Sequence, residues 1–125
     1  MKDIQSRKDL EFLLEKFYES LLEDEEMRRV FIDIAKIDLK EHLPTIVDFW
    51  EQILFQTADY KKNVMKIHLA LNEKVGFEKT HFQTWLKTFD STVNAHFEGE
   101  NSEKAKTRAL SIGTIMQAKL AQNSQ

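Results

Sequence analysis

Cysteine is missing from all 125 residues, which excludes disulfides, thiolate catalysis, iron–sulfur clusters and covalent c-type haem attachment together. Any metal must then be held by histidine or oxygen. One proline and three glycines leave few chain breakers, and no alternating pattern bounded by turns suggests strands, so the class is expected to be all-α. No apolar run is long enough to span a bilayer, which excludes a membrane partner. The start, Met1-Lys2-Asp3-Ile4-Gln5, lacks the apolar core of a signal peptide, and the chain is read as cytoplasmic. An excess of positive charge is also missing. At a net charge of -3 with scattered basic residues, there is no electrostatic footprint for nucleic acid.

What is present is a soluble globular balance, 31% charged and 42% apolar residues, in a length that fits one domain over residues 1–125. Residues 1–5 and 121–125 are expected to fray. Ser6-Arg7-Lys8-Asp9 resembles a capping box, with aspartate where glutamate or glutamine is preferred. The helix it opens carries Leu10, Leu13, Leu14, Phe17, Tyr18 and Leu21 as one apolar stripe, stopping at Glu23-Asp24-Glu25-Glu26. Met27, Val30, Phe31 and Ile34 mark a short second helix. After a turn near Ile37-Asp38, the third helix runs to about Phe55. Pro44 must lie in its first turn or bend it.

Val64 to Leu71 is a short element, apolar on nearly every side, closed by Gly76. A core helix from about Glu78 to Phe97 stacks Phe82, Trp85, Leu86, Phe89 and Val93. The last helix, capped by Asn101 or Ser102, shows Ala105, Ala109, Ile112, Met116 and Leu120 on its apolar face.

Two histidines stand on apolar faces. His42 begins a face continued by Ile46, Phe49, Trp50 and Ile53, and His68 lies four residues after Val64 and three before Leu71. His81 and His96 sit nearer helix ends. Two inward imidazoles without a supporting carboxylate cluster do not make a zinc site, which needs three or four converging ligands. A flat apolar cofactor such as haem needs one histidine, a greasy slot and a few polar donors opposite. Periodicity is equally served by a cofactor-free helical bundle whose core histidines are satisfied by backbone or water.

The order and spacing of several short pieces add to this reading. They are Phe17-Tyr18-Glu19, Val30-Phe31, His42-Leu43-Pro44 with Phe49-Trp50, Tyr60 eight residues before His68-Leu69, and His81-Phe82 leading to Trp85-Leu86, Phe89, Thr92 and Val93. Together they resemble a group III truncated haemoglobin across almost the whole chain. The absence of glycine pairs after Phe31 and before His68 separates the chain from the other truncated-globin groups. The family often has glycine and proline between its loop tyrosine and proximal histidine, where this chain has Lys62 and Val64.

The resemblance implies a shortened globin fold, a 2-on-2 helical sandwich around haem b (iron protoporphyrin IX). It makes His68 the proximal iron ligand, Tyr18 and His42 the distal tyrosine and histidine, and Trp85 the distal tryptophan. Phe31, Ile46, Phe49 and Phe82 become further cofactor contacts. On this reading Tyr18 and Trp85 donate hydrogen bonds toward an iron ligand, and His42 is a donor or gate. The implied ligands are dioxygen, nitric oxide, carbon monoxide or peroxide at a pentacoordinate iron. Redox detoxification is expected rather than oxygen transport. Nitric oxide dioxygenation or peroxidase-like turnover needs electrons the chain does not carry, so a reductase partner is implied. The alternative is a bis-histidine haem protein for electron transfer or haem carriage, with His42 and His68 both on iron.

Overall fold

The structure is a computed structural model that describes residues 1–34, 36, 38–55 and 78–123. Among the described residues it is all α-helical. The helices are α1 (Arg7–Leu21), α2 (Glu25–Arg28), α3 (Leu39–Phe55), α4 (Lys79–His96) and α5 (Glu100–Asn123), and a π-helical stretch over Arg29–Ile34 follows α2 directly. The expected element from Val64 to Leu71, with His68, Tyr60, Lys62 and Val64, lies outside the described residues.

The cap foreseen for α1 forms in an altered version. Ser6 Oγ accepts from Asp9 N–H at 3.3 Å, while the Asp9 carboxylate accepts from Gln5 N–H at 2.9 Å, one residue before the cap. The shorter acid thus ties down the preceding residue. The whole predicted stripe, Leu10 through Leu21, is buried. After α1 ends, the acidic stop supplies the next start: Asp24 accepts from Met27 N–H at 3.0 Å and caps α2.

Pro44 is the sixth residue of α3, inside the helix rather than in its first turn. Having no N–H, it leaves the Lys40 carbonyl without its α-helical donor. The helix start is secured instead by Asp38, whose carboxylate accepts from Lys40 N–H at 3.0 Å and whose carbonyl accepts from Glu41 and His42 N–H.

Packing makes two layers. In one, α1 lies against α3, and in the other α4 lies against α5; α1 also packs on α4, and α3 on α5. Between them Trp50 stacks on Phe89 (5.0 Å, 17°) and Trp85 on Phe89 (6.0 Å, 16°), with Phe17 edge-on to both Trp85 and Phe89. Such offset and edge-to-face pairs add roughly 0.5–1.5 kcal/mol each beyond area burial. In α4 the Asp90 Oδ1 atom is buried with no hydrogen-bond partner.

The start of the chain departs from the fraying expected of it. Ile4 is fully buried. Asp3 accepts from Ile4, Asn101 and Ser102 N–H, each at 2.8 Å, and from Ser102 Oγ at 2.7 Å. Asp3, from the far end of the sequence, therefore caps α5 in place of Asn101 or Ser102. Gly99 makes room for it: at φ +148° it occupies backbone space few side chains adopt, and a Cβ there would lie 2.5 Å from Asp3 Cγ. A second strap joins Glu98 N–H to the Lys2 carbonyl at 3.0 Å, and Asn101 Nδ2 donates to the Ile4 carbonyl at 2.7 Å.

Candidate functional site

The two layers do not close fully on each other. Between them lies a narrow apolar cleft with a cavity volume of about 50 Å³. Each element contributes to its wall. Tyr18 comes from the last turn of α1, Met27 from α2 and Phe31 from the π-helical stretch. Ile46, Phe49 and Trp50 come from α3, Phe82 and Trp85 from α4, and Ile112 and Gly113 from α5. The structure thus brings Tyr18, Phe31, Ile46, Phe49, Phe82 and Trp85 together around one space. His68 lies outside the described residues.

His42, in the first turn of α3, meets the cleft through Tyr18. Its Nε2 lies 3.1 Å from the Tyr18 hydroxyl, with the two rings edge-on at 5.7 Å. Burial pushes the Tyr18 phenol far above its ordinary range, so it keeps its proton. Two arrangements satisfy the contact. Either the phenol donates to a bare Nε2, or a protonated Nε2 donates to the phenol oxygen and leaves the O–H free to point elsewhere. Only the second releases a donor to the cleft.

Residue patterning left several wall residues unmarked. His81 reads as a polar residue near a helix start, yet it is 7% exposed and lines the cleft. Its Nδ1 accepts from Glu78 N–H at 2.9 Å, which fixes the neutral ring with its proton on Nε2, 3.6 Å from Glu26 Oε1. The Glu26 carboxyl is held below its usual range, first by the side-chain hydrogen bond from Arg29. The offset of three residues from Glu78 to His81, the spacing of a helix-capping pair, was the available signal. Gly113 was signalled too: a lone glycine within a helical pattern marks a close approach, and a Cβ there would meet Leu86 Cδ1 at 3.3 Å. Met27 and Phe17 were seen as core positions, without a hint that the core they line is open. His96, which sits at the end of α4, is half-buried with its ring edge-on to Phe12 at 5.1 Å.

A largely aromatic slot with polar groups only at Tyr18 and His81 suits a flat, apolar, conjugated group whose reactive centre carries a small polar ligand. The donors fit as well: Tyr18, on the wall, is bonded to His42 behind it, and no carboxylate is on the lining to oppose a partially negative ligand.

Comparison with known proteins points the same way. No family profile matches the chain. A group 3 truncated haemoglobin of Campylobacter jejuni is 31% identical over 108 residues, covering 84% of this chain and 83% of that one. The crystal structure of a group III truncated haemoglobin from Campylobacter jejuni superposes with a TM-score of 0.82 at 27% identity, covering 96% of this chain and 95% of the other.

Proposed function

The chain belongs to the group 3 truncated haemoglobins, and from that premise we propose that the aromatic cleft holds haem b, with His68 as the iron ligand and Tyr18, His42 and Trp85 around the ligand-binding face. The observation that carries this reading is the Tyr18–His42 bond of 3.1 Å at the edge of a largely apolar slot. Haem supplies an iron centre that takes up dioxygen, nitric oxide, carbon monoxide or peroxide and changes oxidation state.

The protein's own part is to hold that centre dry and to place protons. Phe31, Ile46, Phe49 and Phe82 exclude water from the slot, which strengthens every hydrogen bond made inside it. With the His42 proton on Nε2, that ring donates to the Tyr18 oxygen and fixes the phenol in place. The Tyr18 O–H is then presented to the ligand, and Trp85 adds an N–H from α4. A charge-assisted bond of this kind contributes roughly 1.5–3 kcal/mol, enough to slow release of a partially negative ligand by one decade or more. Slow release suits redox detoxification, by nitric oxide dioxygenation or peroxide reduction with electrons from an external reductase, better than oxygen delivery.

The same bond bears on the bis-histidine alternative. The Nε2 atom that would serve as a sixth ligand is committed to Tyr18, which favours His42 as donor or gate.

Absorption spectra of the purified protein, ferric and ferrous, with and without carbon monoxide, test the proposal. The expected result is a Soret band with a five-coordinate ferrous spectrum that shifts on adding carbon monoxide. His68→Ala should lose that coordination. Normal haem retention by His68→Ala sinks the ligand assignment, and a six-coordinate low-spin ferrous spectrum without added ligand returns the bis-histidine reading.

A further inference from the structure

A groove with a cavity volume of about 500 Å³ lies on the outer side of the seam between α1 and α3, with Leu22, Leu43 and Val47 as its apolar floor. Glu11, Glu15 and Glu19, spaced four residues apart along α1, form one rim. Among the described residues, one side chain lines both this groove and the inner cleft: Tyr18. The groove is therefore one phenol ring away from the cofactor slot. Resting on the haem reading above, we propose that this groove is the docking site of a basic electron-carrying protein that reduces the iron.

Charge selects the partner. Residues 1–55, which supply α1, α2 and α3, carry fourteen Asp and Glu against eight Lys and Arg, whereas residues 79–123, which supply α4 and α5, carry four against six. One side of the molecule is thus net -6 and the other +2, and the groove opens on the acidic side, which steers a cation-rich surface toward it. Two cations line the groove, Arg7 and Lys40. Arg7 is committed to Asp48 at 2.7 Å and Glu51 at 3.1 Å. Lys16 shares Glu19 at 3.6 Å, and Glu15, at the centre of the rim, is paired with no cation among the described residues. A surface of this sign repels nucleic acid and anionic lipid, which leaves a basic protein as the class of partner.

The chemistry needs such a partner. Redox turnover at haem requires electrons this chain does not carry, and each reduction moves one electron from the donor's reduced centre to ferric iron, leaving the donor oxidised by one electron and the iron ferrous. Weak redox encounters bury less than about 1,200 Å² and are steered by charge. A small apolar floor inside a charged rim suits that contact. Leu22, Leu43 and Val47 exclude water beneath the partner, the carboxylates set its approach, and Tyr18 stands between the docked surface and the slot.

The test titrates cytochrome c, as a basic redox protein standing in for the partner, into the isotope-labelled ferrous carbon monoxide complex and follows amide shifts by NMR. Shifts should move along α1 and α3 around the groove, with affinity falling as salt rises. The rim variant Glu11→Gln, Glu15→Gln and Glu19→Gln should weaken binding roughly tenfold at low salt. The same change of charge on the other layer, by Glu98→Gln, Glu100→Gln and Glu103→Gln, should alter it by less than about twofold. Reduction of the ferric protein by hexaammineruthenium(II), a small cationic one-electron donor, with carbon monoxide present to trap the ferrous product, should slow roughly threefold in the rim variant alone. Shifts confined to α4 and α5, or equal losses in the two triple variants, overturn the docking site, and an unchanged ruthenium rate in the rim variant overturns its electron-transfer role. Self-association of the chain that the rim variant abolishes would overturn it too, by assigning the groove to a second copy. A missing Soret band would instead defeat the haem reading, and because the shift titration reads binding and not the iron, the two failures are distinguishable.

Discussion

Replacing Asp3 by alanine tests whether the start of the chain is a structural member. Its carboxylate accepts four hydrogen bonds, from Ile4 N–H, Asn101 N–H, Ser102 N–H and Ser102 Oγ, all between 2.7 and 2.8 Å. Summing four charge-assisted bonds would overstate the loss, because water takes up the freed donors at the half-exposed end of α5. Loss of a helix cap costs about 1–2 kcal/mol. Ile4, fully buried beside the clasp, would be loosened, and exposing part of its side chain adds on the order of 1 kcal/mol. The expected total is therefore about 2–3 kcal/mol, read as the difference in urea unfolding followed by far-UV circular dichroism.

Acid supplies an internal check. Burial alone would raise the Asp3 pKa, but the hydrogen bonds from Asn101, Ser102 and Ile4 outweigh it and hold the group below its usual 3.8. A depressed folded pKa contributes stability that is present above the unfolded value and lost as pH falls through the folded one. The gap between parent and variant should thus be full at neutral pH and shrink below about pH 3.8. A gap under about 0.5 kcal/mol at neutral pH, the range of an ordinary surface substitution, or one that persists unchanged in acid, would refute the argument.

Tyr18→Phe keeps the ring in the cleft and removes only the hydroxyl. Dioxygen release by the haem-loaded protein should quicken roughly 10- to 100-fold in stopped flow, and an unchanged rate would remove Tyr18 as the donor. Asp90→Asn addresses the orphaned oxygen of α4. Burial, reinforced by Glu103 and opposed by Lys106, raises the Asp90 pKa. Stability from this group is therefore present below its unfolded pKa and lost as pH rises through the folded one. The asparagine variant should gain less than about 1 kcal/mol in neutral urea unfolding and lose that gain in acid. Destabilisation at neutral pH would contradict it.

How far the sequence reaches can be seen residue by residue. The stripe from Leu10 to Leu21, the face from His42 to Trp50 and the row from Phe82 to Val93 are periodic over several turns. Burial of one helical face is what writes that period, so these elements were legible. Tyr18 and His42 also fall on their faces by spacing alone, though nothing local says that they touch. The hidden features were set by partners far away in the chain. Asp3 caps α5 across 98 residues, and a polar residue near a terminus carries no sign of that. His81 looks like any residue in a first turn, and its burial, with Glu26 of α2 beside it, is set by parts of the chain far away in sequence. That the aromatic core is open, with Gly113 thinning its wall, is a property of how the layers meet, not of any one pattern.

The π-helical stretch over Arg29–Ile34 has a consequence for the chain's tolerance of insertion and deletion. A π turn holds about one residue more than an α turn, so this segment carries a surplus residue within a helix. Phe31 sits inside it and faces the cleft. Removing a single residue here would let the segment relax to an α-helix, and the residues beyond it would keep nearly their bearing, because a π-helical run turns the chain about as far as an α-helical run one residue shorter. Phe31, inside the segment, is the side chain whose direction would change. The bearing of the cleft's aromatic edge is thus encoded in a residue count, and a gap of one position here would re-aim Phe31 while leaving the flanking helical faces and the hydrophobic composition almost unchanged.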